Sequence, residues 1–232
     1  RGGLGTGGVR PCLAVPTPGT GAGRGSYAAR PMTDRWAIRL TRPDDLDSLY
    51  DVCLRTGAAG EDATALVDDP RLFGEIYAAP YARLEPEHAF VLDDGTGRVL
   101  GYVLGSLDAD GFEARCEAEW WPALRSRYPR TSGDRLDDLL VGLIHDRPPP
   151  DPDLTATYPS ELHIDLLPEA QGQGWGRRMM ERLLDALRAD GSTGVHLGTS
   201  AANHRAIAFY RHLGFDELDA NPVTVAFGLR LR

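Results

Sequence analysis

Hydrophobic and polar positions along this chain switch between a helical and a strand period, and the switches predict its elements. Residues 34–40 read as a first strand. Pro43, Asp44 and Asp45 then open a helix with Leu46, Leu49, Tyr50, Cys53 and Leu54 on one side. A second helical region covers 72–81. Residues 89–92 form a strand, 94–97 a hairpin turn of the Asp-Gly kind, and 99–107 the partner strand. The pattern from 112 to 121 is helical; Pro122 restarts or kinks it and Tyr128 ends it. Another amphipathic helix, 134–145, runs through Leu136, Leu139, Leu140, Leu143 and Ile144. The proline-rich segment 148–152 reads as a stiff extended linker. An apolar strand at 162–167, closed by Pro168, leads to a helix with Met179, Met180, Leu183, Leu184 and Leu187 on one face. Gly191 caps that helix, 195–198 is a strand, Asn203 stands at an N-cap position, and 215–218 and 223–231 alternate like paired strands.

Between the strand at 162–167 and its helix lie Gln171, Gly172, Gln173, Gly174, Trp175 and Gly176. Glycines at alternate positions let backbone N–H groups crowd together without a Cβ in the way. The helix start adds unpaired N–H groups and a partial positive charge, so the unit suits a phosphate or pyrophosphate. The turn is not G-x-x-x-x-G-K-[ST], which excludes a P-loop, and not G-x-G-x-x-G with a later acidic residue, which argues against a dinucleotide fold.

The pattern Q-x-x-G-x-G after a strand ending in proline resembles the coenzyme A loop of the GNAT acetyltransferases. Further on, Asn203, Ala206, Phe209, Tyr210, Gly214 and Phe215 follow the N-x-x-A-x-x-F-Y-x-x-x-G-F signature of the same family, in the right order and one helix and one strand away. The resemblance implies a mixed α/β GNAT fold. Its twisted, mostly antiparallel sheet splays between two adjacent parallel strands and is flanked by helices, here with a helical insertion at about 111–147. Within that region Asp108, Trp120, Trp121, Pro122 and Tyr128 narrow the likeness to the acetyltransferase-like domains found at the C-terminus of O-GlcNAcase and as stand-alone bacterial proteins.

That likeness implies acetyl-CoA as co-substrate and an amine acceptor, either a small molecule or a protein lysine. Leu166 and Leu167 would offer backbone groups to the pantetheine arm. The turn from Gln171 to Gly176 would hold the pyrophosphate, with Arg177 or Arg178 adding a charged contact and Asn203 an amide. Tyr210 would protonate the departing thiolate, and Asp165, in an apolar run where burial raises a carboxyl pKa, would deprotonate the acceptor. Glu161, His163 and Asp165 alternate on one strand face. Asp108, Trp120 and His163 are the candidates for the acceptor side. A metal site from His163 and Asp165 would need a third ligand that the sequence does not offer, so none is expected.

Composition narrows the field further. A net charge of −9 argues against nucleic acid, which needs a basic footprint. No apolar run reaches the length of a membrane span. Cys12, Cys53 and Cys116 are odd in number and lie in no metal spacing, so they read as free thiols of a reducing, cytoplasmic compartment. Residues 1–31 hold nine glycines and few large apolar side chains. They read as a flexible leader or an upstream extension ahead of one domain at 32–232. The protein is expected to be a monomer or homodimer. Two other readings stay open: a module that binds coenzyme A or a protein without turnover, and a covalent mechanism. The second is disfavoured because no cysteine lies near either motif in sequence and no G-x-S-x-G occurs.

Overall fold

The computed structural model describes residues 35–232; the expected leader lies outside the described residues. Strand β1 (Ala37–Leu40) passes through a short 3-10 turn into helix α1 (Leu46–Thr56). Arg39 ties this corner together: its guanidinium donates to both carboxylate oxygens of Asp45 at 2.6 and 2.8 Å and to Asp93 at 2.8 Å. The helical region expected at 72–81 is two helices, α2 (Leu72–Tyr77) and α3 (Ala79–Leu84). The break falls at Ala78, whose φ of −128° leaves helical space. Pro80 is the cause, since it has no N–H for the carbonyl four residues back and its ring crowds that carbonyl.

Strands β2 (Ala89–Asp93) and β3 (Val99–Ser106) form the expected hairpin. The insertion is α4 (Ala109–Glu119), α5 (Trp121–Arg127) and α6 (Leu136–His145), with Trp121, Leu124, Leu140 and Ile144 buried. The proline-rich linker is shorter than expected, because Pro152–Thr157 is a helix, α7. Asp151 caps it by accepting from the Asp153 N–H at 3.0 Å, and Pro152 sits where a missing N–H costs nothing. Strand β4 (Ser160–Leu166), helix α8 (Trp175–Ala189), strand β5 (Gly194–Ser200), helix α9 (His204–His212) and strands β6 (Asp216–Ala220) and β7 (Thr224–Arg230) complete the chain.

The seven strands form one sheet in the order β1-β2-β3-β4-β5-β7-β6. Every neighbouring pair is antiparallel except β4 and β5, which are parallel and pair only at Ser160 with Val195 and Glu161 with His196. Beyond Glu161 the two strands part. The fold class expected from the resemblance is the one observed. Helices α1 to α6 build an apolar core on one face, with Tyr102, Leu104 and Val91 from the sheet. Helices α8 and α9 build another on the opposite face, with Leu100, Val103 and Leu162. Among the described residues no helix is long and apolar enough to cross a membrane.

Candidate active site

The parting of β4 from β5 opens a cavity of about 420 Å³. Its walls come from the end of β4 (Ile164, Asp165, Leu166), the glycine turn (Gln171, Gly172, Gly174), the start of α8 (Gly176, Arg177) and α9 with its cap (Asn203, Arg205, Phe209, Tyr210, His212). Thr56 and Gly60, from the end of α1 and the loop after it, close the inner end.

Strand register decides which backbone groups face the gap. The Leu167 N–H donates to Leu100 O at 2.8 Å, so this opposed pair is a hydrogen-bonded one. Gly101 opposite Leu166 is then a non-hydrogen-bonded pair, and so is Val103 opposite Ile164. The N–H and C=O of Ile164 and Leu166 therefore point away from β3, into the splay. Leu167 does not share this role: its N–H is taken and its side chain is buried in the core under α1 to α6. The Leu166 carbonyl already accepts from Gln171 Nε2 at 2.6 Å, which ties the turn to the strand end.

The turn needs its glycines for different reasons. Gly172 and Gly174 have φ of +70° and +84°, a region that side chains rarely adopt, and a Cβ added to either would meet only open space. Gly174 is the residue before α8, so the first N–H groups of the helix open onto this space. Gly176 is helical, and a Cβ there would sit 3.3 Å from the Phe209 ring, so α8 and α9 close up at this point. The cradle fits an anionic, phosphate-bearing group. Trp175 does not line the cavity. Its indole is buried against Trp36, with ring centroids 5.9 Å apart, because the first residue of α8 turns toward the core. Gln173 is exposed and donates to Glu169 O at 2.5 Å, outside the cavity lining. Arg177 lines the cleft within 3.2 Å of His212, whereas Arg178 stacks on Trp175 at 4.7 Å.

Asn203 caps α9 as its position suggests, accepting from the Ala206 N–H at 3.0 Å. Tyr210 lies on the buried side of α9 among Phe209, Phe215 and Phe227, yet still lines the cavity. Asp165 is half-buried at the inner end, enclosed by protein, with the cavity as its opening. Loss of solvent pushes its carboxyl from 3.8 up to about 6, against the opposing pull of hydrogen bonds from Tyr102 and Thr56. The Tyr102 hydroxyl donates to Asp165 Oδ2 at 2.6 Å. Burial first, and then the Asp165 charge, hold the Tyr102 phenol well above its ordinary value, so it stays a donor.

The three acceptor-side candidates do not line this cavity. His163 shares a face with Asp165 but turns its ring onto Tyr81 and Tyr77, with centroids at 5.1 and 5.9 Å. Trp120 packs over the α1–α6 core and donates its indole N–H to Glu75 O at 3.0 Å. Asp108 is exposed at the start of α4, just beyond Ser106, which pairs with Glu161 at the far end of β4 from Asp165. Thr56 and Gly60 carry no motif, and sequence reasoning missed them; Tyr102 stands in the stretch 101–105, which shares the resemblance to the O-GlcNAcase-like domain, but that resemblance gave it no role. Arg205 and Phe209 fall inside the second signature, and their position there was the available signal.

Comparison with known proteins follows the same lines. Residues 61–215 match the model of the acetyltransferase (GNAT) family. Rat protein O-GlcNAcase is 26% identical over 192 residues, which are 81% of this chain and 21% of the relative. A mycothiol acetyltransferase of Beutenbergia cavernae is 30% identical over 188 residues, 77% of this chain and 57% of the relative. The chain thus spans about a fifth of the first and little more than half of the second. The crystal structure of SsHAT superposes with a TM-score of 0.79 at 43% identity, covering 85% of this chain and 98% of that one.

Proposed function

The chain belongs to the GNAT acetyltransferase family, and on that premise we propose that it moves an acetyl group from acetyl-CoA to a primary amine while both are bound. The observation that carries this reading is one cleft with Asp165 and Tyr210 on its walls, backbone groups of an unpaired strand edge along it, and a glycine cradle at its end. Ile164 and Leu166 would pair with the pantetheine amides, and Asn203 would add its side-chain amide. The backbone from Gln171 to Gly176 would hold the pyrophosphate, and Arg177 would add charge at the rim.

The co-substrate supplies an activated acyl carbon and a thiolate leaving group. An amine reaches the cleft mostly as ammonium and must lose a proton before its nitrogen can attack. Asp165, ionised at neutral pH but basic for a carboxylate, accepts that proton. As the C–N bond forms and the C–S bond breaks, Tyr210 gives its proton to the sulfur; the nitrogen's surplus proton makes good the loss on Tyr210, and the proton held by Asp165 leaves through the cleft. The acceptor is a small amine or a protein lysine. His163, Trp120 and Asp108 stand outside the cleft wall, which leaves Thr56 and Gly60 as the side of the cleft it would meet first.

Calorimetry with acetyl-CoA, followed by thiol release across a panel of amines and lysine peptides, tests the proposal. Micromolar binding with release dependent on one acceptor class is the expected result. Tight binding without release for any acceptor would favour a module that holds coenzyme A without turnover.

A further inference from the structure

Among the described residues Asp165 is the one carboxylate on the cavity wall, and the same cleft carries Arg177, Arg205 and His212 toward its other end. Its near neighbours are fewer. Tyr102 faces it from β3, Thr56 from α1, and Tyr210 from α9 across the cavity. His163 lies two residues along on the same face but is engaged with Tyr77 and Tyr81. Tyr102 is fully buried and directly opposite Asp165 in the β3–β4 ladder, and its phenol donates to Oδ2 at 2.6 Å. On its other side stands the Cys53 thiol, buried in the core. Tyr102 thus ties Asp165 to the packed interior rather than to the cleft.

We infer that Tyr102 is the positioning residue of the acid–base site: its phenol grips Oδ2, fixes the carboxylate plane against β3, and leaves the other oxygen to the cleft. Thr56 supports it in a different way. Its Oγ1 lies 2.8 Å from Val52 O, and its single proton goes either to that carbonyl or to Asp165. Thr56 thus donates to the carboxylate and accepts from the neutral acid, so it serves both protonation states. Tyr102 donates to Oδ2, and that bond favours the ionised one. The inference rests on the reading of Asp165 as base, but it can be tested apart from it.

The test is the side-chain carboxyl carbon signal of Asp165 in the full chain, assigned by its loss in Asp165→Asn and titrated in buffer alone. Tyr102→Phe keeps the ring and removes the donor. The midpoint should rise by about one to two pH units. Thr56→Val should raise it less, and Thr56→Ser should restore it. With an acceptor found, the acidic limb of kcat/KM should move by the same amount while the KM for acetyl-CoA holds. Tyr102→Phe in the Asp165→Asn background should then change nothing further in rate. An unmoved midpoint in a folded Tyr102→Phe overturns the inference. If Tyr102→Phe does not fold, Tyr102→3-fluorotyrosine decides: its more acidic phenol is a stronger donor and should lower the Asp165 midpoint, and an unmoved midpoint overturns the inference. A midpoint that moves while Asp165→Asn leaves transfer unslowed upholds the Tyr102 grip and removes Asp165 as base.

Discussion

At its outer end the cleft presents the backbone of a glycine turn, with Arg177, Arg205 and His212 beside it; at its inner end it is made of side chains. The turn around Gly172 and Gly174 is open, exposed in part, and offers N–H groups fixed by positive φ and by the start of α8. Such donors need no pKa tuning and bind whatever phosphate fits. The inner end gathers Thr56, Tyr102 and Asp165 from three separate elements, with burial shifting the carboxyl. On the proposed function, one end holds a charge that the ligand brings, and the other changes its own charge during the reaction, which requires a low-dielectric setting with few partners. Binding and chemistry are then separable along a single groove.

The strongest way to break that separation is at the inner end. Asp165→Asn and Tyr210→Phe each keep shape and remove a proton-transfer group, so transfer should fall by about 10²–10⁴-fold. Acetyl-CoA affinity should stay within a few-fold in both. Loss of rate and affinity together, measured by thiol release and calorimetry, would mean that the two ends are not independent.

The converse substitution acts at the outer end. Gly174→Asp places a carboxylate where a phosphate is expected and forces a side chain into a φ of +84°. Acetyl-CoA affinity should drop by about 2–4 kcal/mol, with kcat at saturating acetyl-CoA close to that of the parent. Unchanged affinity in a folded variant would rule out this turn as the phosphate site.

The two ends were also unequally legible in the sequence, and for the same reason. Backbone sites leave local marks: glycines at fixed spacing, the apolar stripe from Met179 to Leu187, and Asn203 three residues before its capped N–H. Side-chain sites are assembled by topology. Tyr102 and Asp165 are 63 residues apart, and only the β3–β4 register sets them opposite each other. Cys53 looked remote from both motifs, yet it abuts Tyr102 in the core. Leu166 and Leu167 are indistinguishable in sequence, and one step of strand register turns one toward the gap and the other into the core. The Trp175 indole, set among the glycines of the turn, packs on Trp36. Helix α7 was hidden because a proline that opens a helix looks the same in sequence as one that forbids it.

The smallest expected effect sharpens the comparison most, because it needs neither ligand nor acceptor. The Asp165 carboxyl titrates at about 6 in the fold against 3.8 ordinarily, chiefly through burial. The folded chain then binds this proton more tightly than the unfolded chain does. Stability from this group is greatest at low pH, falls as pH rises through the window from about 4 to about 6, and is level above it. Asparagine has no such window. Relative to the parent, Asp165→Asn should therefore gain about 1–2 kcal/mol between pH 4.5 and 7.5, a figure reduced for the residual opening of the site to the cavity. Urea midpoints across that range measure it. An acid placed by Gly174→Asp at the start of α8 should show no such fall with rising pH, since the helix start favours its charged form in the fold and any shift has the opposite sign. Equal slopes for the two variants would mean that Asp165 is solvated like the turn, and that the inner end holds no dielectric advantage for taking a proton.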